Sequence, residues 1–192
     1  MNHADHVALI RDGVQTPPRG AAPFRRWLEL GAGRGAFTLA LADLLGSGGE
    51  IDALDRDAGD LRALAQELAA RFPATRLRTI AADFEGPVDL PGGPCDGLLA
   101  ANALHFAPDP GAVLERVLPL LRPGARVIVV EYDADSGNPW VPHPFSYRRW
   151  EEMAAAAGLR DTRLIGRVPS RFLGAIYAAA SDLPAAALGP PD

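Results

Sequence analysis

A glycine loop, three carboxylates and a histidine are the residues whose types and spacing bear on chemistry. Residues 28–37 read Leu-Glu-Leu-Gly-Ala-Gly-Arg-Gly-Ala-Phe, placing Glu29 and Ala32 beside glycines at 31, 33 and 35. Glycines so spaced let the backbone turn tightly and approach a ligand closely at the positive end of the following helix. Gly31-x-Gly33-x-x-Ala36 also satisfies a loose dinucleotide fingerprint. Asp55 lies where a carboxylate can accept both hydroxyl protons of a ribose. A helix cap is the other reading of Asp55, and Asp57 suits that cap equally well. Asp83 with Phe84 offers an acceptor and an apolar wall that suit an adenine ring, or else a simple turn. His105 is the best candidate base, because imidazole exchanges protons near neutral pH; a packing or loop-capping histidine is as consistent with its position. Glu131, Tyr132, Asp133, His143 and Tyr147 are further polar candidates at the same edge. His3, His6 and Asp12 could be read as a metal cluster, but a solvated or lid-forming helix fits them better and no metal-ligand spacing occurs elsewhere.

The elements that must position these residues alternate in period. Strands are expected at 26–30, 50–55, 76–82, 96–101 and 127–130, separated by helices at 37–45, 58–71 and 110–121. Residues 86–94 form a loop. A helix at 146–157 precedes two last strands at 161–166 and 172–179. Such alternation specifies an α/β fold: a doubly wound, mostly parallel seven-stranded sheet with helices on both faces. The last two strands are too close for a helical crossover, so they form a hairpin that adds one antiparallel strand. A ligand then binds outside the carboxyl ends of the strands, at the topological switch point. The chain reads as one domain, with a short helical cap at 1–25, a core at 26–180 and a tail at 181–192.

Composition narrows the chemistry. All 19 basic residues are arginine. The absence of lysine excludes a lysine Schiff base, a P-loop lysine and a Tyr-x-x-x-Lys pair. A net charge of −5 argues against nucleic acid or a membrane surface as partner. Arg148, Arg149, Arg160, Arg163, Arg167 and Arg171 alternate along a helix and hairpin, as on a solvated face. No signal peptide or membrane-spanning run is read, and the single Cys95 suits a reducing, cytoplasmic compartment. Trp140 and Phe145, on the proline-rich stretch 135–145, either border a flat or apolar acceptor or cover the core.

Taken in order, Glu29-x-Gly31-x-Gly33-x-Gly35, Asp55, Asp83, the run 96–105 and Leu121-Arg122-Pro123-Gly124 resemble the class I S-adenosylmethionine-dependent methyltransferases over about residues 26–180. The resemblance implies methyl transfer from S-adenosylmethionine, leaving S-adenosylhomocysteine, to an unidentified acceptor, with a small molecule favoured. It implies that the glycine loop, with Glu29, holds the methionine end of the donor. Asp55, with Arg56 beside it, would take the ribose, Asp83 and Phe84 the adenine, and Asn102 would border the methyl. No metal is implied. A nicotinamide-dependent oxidoreductase and a non-catalytic donor-binding module stay open as alternatives, and so does a homodimer that closes the site.

Overall fold

The structure, a computed structural model, describes residues 1–16 and 23–185. The elements run α1 (His3–Gln15), β1 (Arg26–Leu30), α2 (Ala36–Leu45), β2 (Glu50–Asp55), α3 (Ala58–Arg71), β3 (Arg76–Ala81) and β4 (Cys95–Ala101). Then come α4 (Pro110–Val117), β5 (Leu121–Tyr132), α5 (Tyr147–Ala156), β6 (Arg160–Pro169) and β7 (Ala175–Asp182), with 3-10 turns at Leu104–Phe106 and Leu118–Leu120.

The strands form one seven-stranded sheet in the order β3-β2-β1-β4-β5-β7-β6. Strand β7 pairs antiparallel with both β5 and β6, while the other pairings are parallel. The fold class is therefore the one the alternation specifies. Chain order reverses between β1 and β4, which makes the carboxyl ends of these two strands the switch point.

Alternate side chains of the central strands feed two cores. One collects Trp27, Leu99 and Ile128 under Ile10, Leu41 and Leu64 from α1, α2 and α3. The other collects Leu28, Leu98 and Val127 under Leu114 and Trp150 from α4 and α5. Close approach needs glycine at particular places. A Cβ on Gly97, paired with Trp27 across β1 and β4, would lie 2.6 Å from the indole. Buried Arg126 joins α1 to the sheet: it donates to the carbonyls of Gly13 and Thr16 at 2.7 and 3.1 Å, and to Asp182 at 2.5 Å.

Several boundaries differ from the sequence reading. Helix α4 ends at Val117, directly before the short turn Leu118–Leu120 that holds Pro119, because proline supplies no N–H to continue it. Strand β5 starts at Leu121, so Arg122-Pro123-Gly124 forms an irregularity inside the strand, where the register with β4 shifts between Cys95 and Gly97. Strand β7 begins at Ala175 and extends to Asp182, displaced from the expected 172–179. The cause is Gly174, whose φ of +64° turns the chain, with Ser170 N–H donating to its carbonyl. Phe172 consequently stands exposed in that turn. Helix α1 is a layer of the core, with Val7, Leu9, Ile10 and Val14 buried, where the sequence suggested a solvated or lid-forming cap. Residues 17–22 of that segment and 186–192 of the tail lie outside the described residues.

Candidate active site

Strand β1 runs straight into the glycine loop. Gly31 and Gly35 adopt φ of +66° and +92°, which side-chain-bearing residues rarely adopt. Each also lies against a neighbour: a Cβ on Gly31 would meet Ala103 Cβ at 2.6 Å, and one on Gly35 would meet Leu64 Cδ1 at 2.2 Å. Nothing lies within 4 Å of a Cβ built on Gly33, so that position faces open space. Ala32 is buried, its N–H on the carbonyl of Leu54.

Asp55 closes β2. Its Oδ2 accepts from Gly33 N at 2.8 Å and its Oδ1 from Asp57 N at 2.8 Å, so each oxygen keeps lone-pair capacity for a ligand. The cap of α3 is Asp57, whose Oδ1 accepts from the N–H groups of Gly59 and Asp60. That assignment decides between the two acids and leaves Asp55 facing the cleft. Asp83 commits Oδ1 to Glu85 N at 2.9 Å.

Gly31, Asp55, Arg56, Asp83, Phe84 and Asn102 line one cleft of about 510 Å³ at the switch point. Asp57, Asp60, Ala82, Glu85, Ala103 and Phe106 complete its wall; of these only Ala103, as a neighbour of Asn102, follows from the sequence reading. Phe106 is half exposed there, and its only sequence signal was its place beside His105. Glu29, Ala32, Gly33 and Gly35 lie outside the lining, in or beneath the loop.

Glu29 is 2% exposed, and its Oε2 has no hydrogen-bond partner. Burial pushes its carboxyl up to about 8; nearby Thr38 offsets this in part and Asp55 adds to it. Between about pH 4.5 and 8 the folded chain thus holds a proton that the unfolded chain has released. Stability therefore falls as pH rises through that window, by about 5 kcal/mol at most. Thermal denaturation across pH 5 to 8.5 is expected to show this decline in the wild type and a flatter profile in Glu29→Gln. Parallel profiles would show that Glu29 does not carry it.

Past β4 the chain turns sharply. Asn102 takes φ +50°, and its Oδ1 is buried without a partner. His105 follows in the 3-10 turn, 2% exposed, with Nδ1 2.7 Å from Glu131 Oε2. Glu131, fully buried at the end of β5, also accepts from Ala103 N at 3.1 Å and His105 N at 3.2 Å through Oε1. An ionised carboxylate only accepts, so opposite one Nδ1 is the donor, and in the neutral imidazole Nε2 is then the nitrogen with the free lone pair. The hydrogen bonds of the described residues engage Nδ1 alone. The ring packs on Phe106 and Tyr132 at centroid distances of 4.3 and 5.6 Å.

The proline-rich stretch divides. Phe145 is buried against Trp150, whereas Trp140 is 73% exposed on a turn whose N–H groups Asn138 Oδ1 accepts. His143 N donates to the His105 carbonyl at 3.0 Å, tying that stretch to the turn that carries His105. Among the described residues, no cluster of three or more His, Cys, Asp or Glu could hold a metal, and no helix is long and apolar enough to cross a membrane.

A sheet of this order, with a glycine loop at its switch point and a carboxylate at the end of each of the next two strands, defines a Rossmann-like methyltransferase. Residues 28–127 match the family model described as a methyltransferase domain, and the chain belongs to that family. The chain thus carries a methyltransferase domain of that family. The oxidoreductase alternative is thereby set aside.

The chain is 32% identical over 123 residues to "Highly reducing polyketide synthase PKS6" of Gibberella zeae, a match covering 57% of this chain and 4% of that protein. It spans only 4–7% of the length of the curated relatives it matches. Its fold superposes at TM-score 0.70 on Burkholderia thailandensis 1,6-didemethyltoxoflavin-N1-methyltransferase, solved with 1,6-didemethyltoxoflavin and S-adenosylhomocysteine bound (21% identity; 95% of this chain, 78% of that one). On the CurJ carbon methyltransferase the TM-score is 0.67 (21% identity; 86% of this chain, 50% of that one).

Proposed function

We propose that this chain methylates a small-molecule acceptor at a carbon made acidic by flanking carbonyl groups, with His105 as general base. The observation that carries the reading is the buried His105–Glu131 pair, 2.7 Å apart, on the turn whose Ala103 and Phe106 line the cleft although His105 itself does not. A base is needed only where the nucleophile arrives protonated. The names of the relatives, polyketide synthases and a carbon methyltransferase, favour carbon as that nucleophile.

The residues present fit the donor. Gly31 and Gly33 leave the loop without side chains where a ligand's methionine end would lie, and Asn102 brings an unpartnered buried oxygen to the cleft. In this reading Asp55, with Arg56 beside it, holds the ribose hydroxyls. Asp83 and Phe84 hold the adenine, and Asn102 borders the transferable methyl. S-adenosylmethionine supplies a methyl group on a positively charged sulfur, already activated for in-line displacement. His105 takes the acceptor's proton at Nε2, while Glu131 holds the ring's orientation and favours the imidazolium that forms. The protein otherwise aligns the reactants and excludes water, a contribution of about 7–11 kcal/mol in well-oriented reactions. Cytoplasmic location belongs to the same reading, supported by a single buried cysteine that burial pushes up to about 12 and so keeps unreactive.

Calorimetric titration with S-adenosylhomocysteine, with NAD in parallel, tests the cleft. Asp55→Ala is expected to weaken homocysteine-nucleoside binding by about 10- to 100-fold, the loss of one or two hydrogen bonds to a charged group. Wild-type affinity in that variant would remove Asp55 from the reading. Methyl incorporation into a 1,3-dicarbonyl compound, against a hydroxyl and an amine acceptor, then tests the carbon assignment.

A further inference from the structure

In the proposed reading the acceptor's acidic carbon must meet two groups at once: the donor methyl, which Asn102 borders, and Nε2 of His105. Glu131 occupies Nδ1 at 2.7 Å, which leaves the Nε2 edge of this buried ring for an acceptor. Between that ring and the cleft stands Phe106, its centroid 4.3 Å from that of the imidazole. Phe106 lines the cleft and His105 does not. An acceptor that spans the two therefore borders the phenyl ring.

The large apolar side chains of the cleft are Phe84 and Phe106, and the reading places Phe84 on the adenine. The other residues of the turn that face it are small or short: Ala103 packs against Gly31, and Asn102 precedes it. Phe106 is half exposed, and its open surface is one that an apolar acceptor would cover. Its backbone is also fixed. Phe106 N donates to the Ala103 carbonyl at 3.2 Å, and Ala107 N to the Leu104 carbonyl at 3.0 Å. Leu104 and Ala107 are anchored in the core, and Glu131 accepts from the N–H groups of Ala103 and His105. So braced a turn does not yield to a larger ligand, and the phenyl gives way only by losing its packing on His105.

We infer that Phe106 selects acceptors by size: it admits a methylene flanked by carbonyl groups and turns away the same carbon once that carbon bears an alkyl group. The inference rests on the carbon-methylation reading above and adds a limit of one transfer per acceptor carbon. In that transfer the acceptor's C–H bond gives its proton to Nε2 and its electron pair to the new bond to methyl. The bond from sulfur to methyl breaks, and S-adenosylhomocysteine leaves. The product carbon still carries one acidic hydrogen, so its chemistry permits a second transfer. The room beside Phe106 does not.

Initial rates and product masses with S-adenosylmethionine and either acetylacetone or its C-methyl derivative test this. Wild type is expected to stop at one methyl and to favour acetylacetone by about 10-fold or more in kcat/KM, the discrimination one such group provides in an apolar pocket. Phe106→Ala is expected to narrow that preference by about 10-fold and to yield dimethylated product. Phe106→Leu should fall between the two, and it carries the comparison if the alanine variant does not fold. The derivative's lower acidity affects every variant alike, so the change in the ratio reads the wall. S-adenosylhomocysteine affinity should be unchanged in both variants, which separates an acceptor effect from a distorted cleft. A wild type that methylates both compounds equally overturns the inference, and so does an unchanged ratio in variants that still turn over acetylacetone. A wild type that binds S-adenosylhomocysteine but methylates neither compound removes the carbon assignment, and this inference with it.

Discussion

His105→Gln is expected to lower kcat by about 10²- to 10⁴-fold while S-adenosylhomocysteine affinity stays within about twofold. That range is what a positioned general base contributes, or about 3–5 kcal/mol of barrier. Glutamine is chosen because its amide can still donate to Glu131, so the buried carboxylate keeps a partner and the turn keeps its shape. It cannot accept a proton at the position of Nε2. The donor-contacting residues of the proposed reading lie on other segments: the loop after β1, the ends of β2 and β3, and Asn102. Chemistry should therefore fail with binding intact. Equal losses in kcat and donor affinity would mean that His105 shapes the pocket, and an unchanged kcat would mean that the acceptor needs no base. Partial recovery with added imidazole in His105→Gly would separate a lost base from a distorted turn.

The division between what the residues declared and what only the fold revealed follows contact range. The glycine loop, Asp55 and Asp83 were readable because each lies at or just past a strand end. Period-two and period-3.6 patterns fix where strands end, and a parallel sheet places those ends along one edge. Asp55 and Asp57 were inseparable in sequence, since a strand end and a helix cap only two residues apart both favour aspartate. Only the backbone assigns the α3 cap to Asp57. The partnership of His105 with Glu131 was out of reach for another reason. The two are 26 residues apart, and they meet only because Ala101 pairs with Val130 in the β4–β5 register. Trp140 and Phe145 looked alike as loop aromatics, but the fold buries Phe145 and leaves Trp140 in solvent. Strand β7 was misplaced because Phe172 and Leu173 extend an apolar run whose true start is set by the positive φ of Gly174.

Glu131 gives the sharper test, because two substitutions at this one position should separate stability from chemistry. In Glu131→Ala the N–H groups of Ala103 and His105 lose their acceptor in a fully buried site, and Nδ1 loses its partner. Each orphaned donor costs about 1–3 kcal/mol, so a loss of roughly 3–5 kcal/mol is expected. At about 2–4 °C per kcal/mol for a chain of this size, Tm falls by roughly 10 °C or more. Glu131→Gln preserves shape and should leave Tm within a few degrees. Its carbonyl oxygen can accept from both N–H groups, which turns its amide NH₂ towards Nδ1. Nδ1 must then accept, the imidazole proton moves to Nε2, and the atom that should take a proton already carries one. A stable Glu131→Gln protein is therefore expected to bind donor normally and lose about 10²- to 10⁴-fold in kcat, close to the loss in His105→Gln. The double variant should lose little more than either single one, because residues acting as a unit are not additive. A Glu131→Gln enzyme of full activity would show that the carboxylate only braces the turn, and the base would then have to be sought among Tyr132, Asp133 and His143.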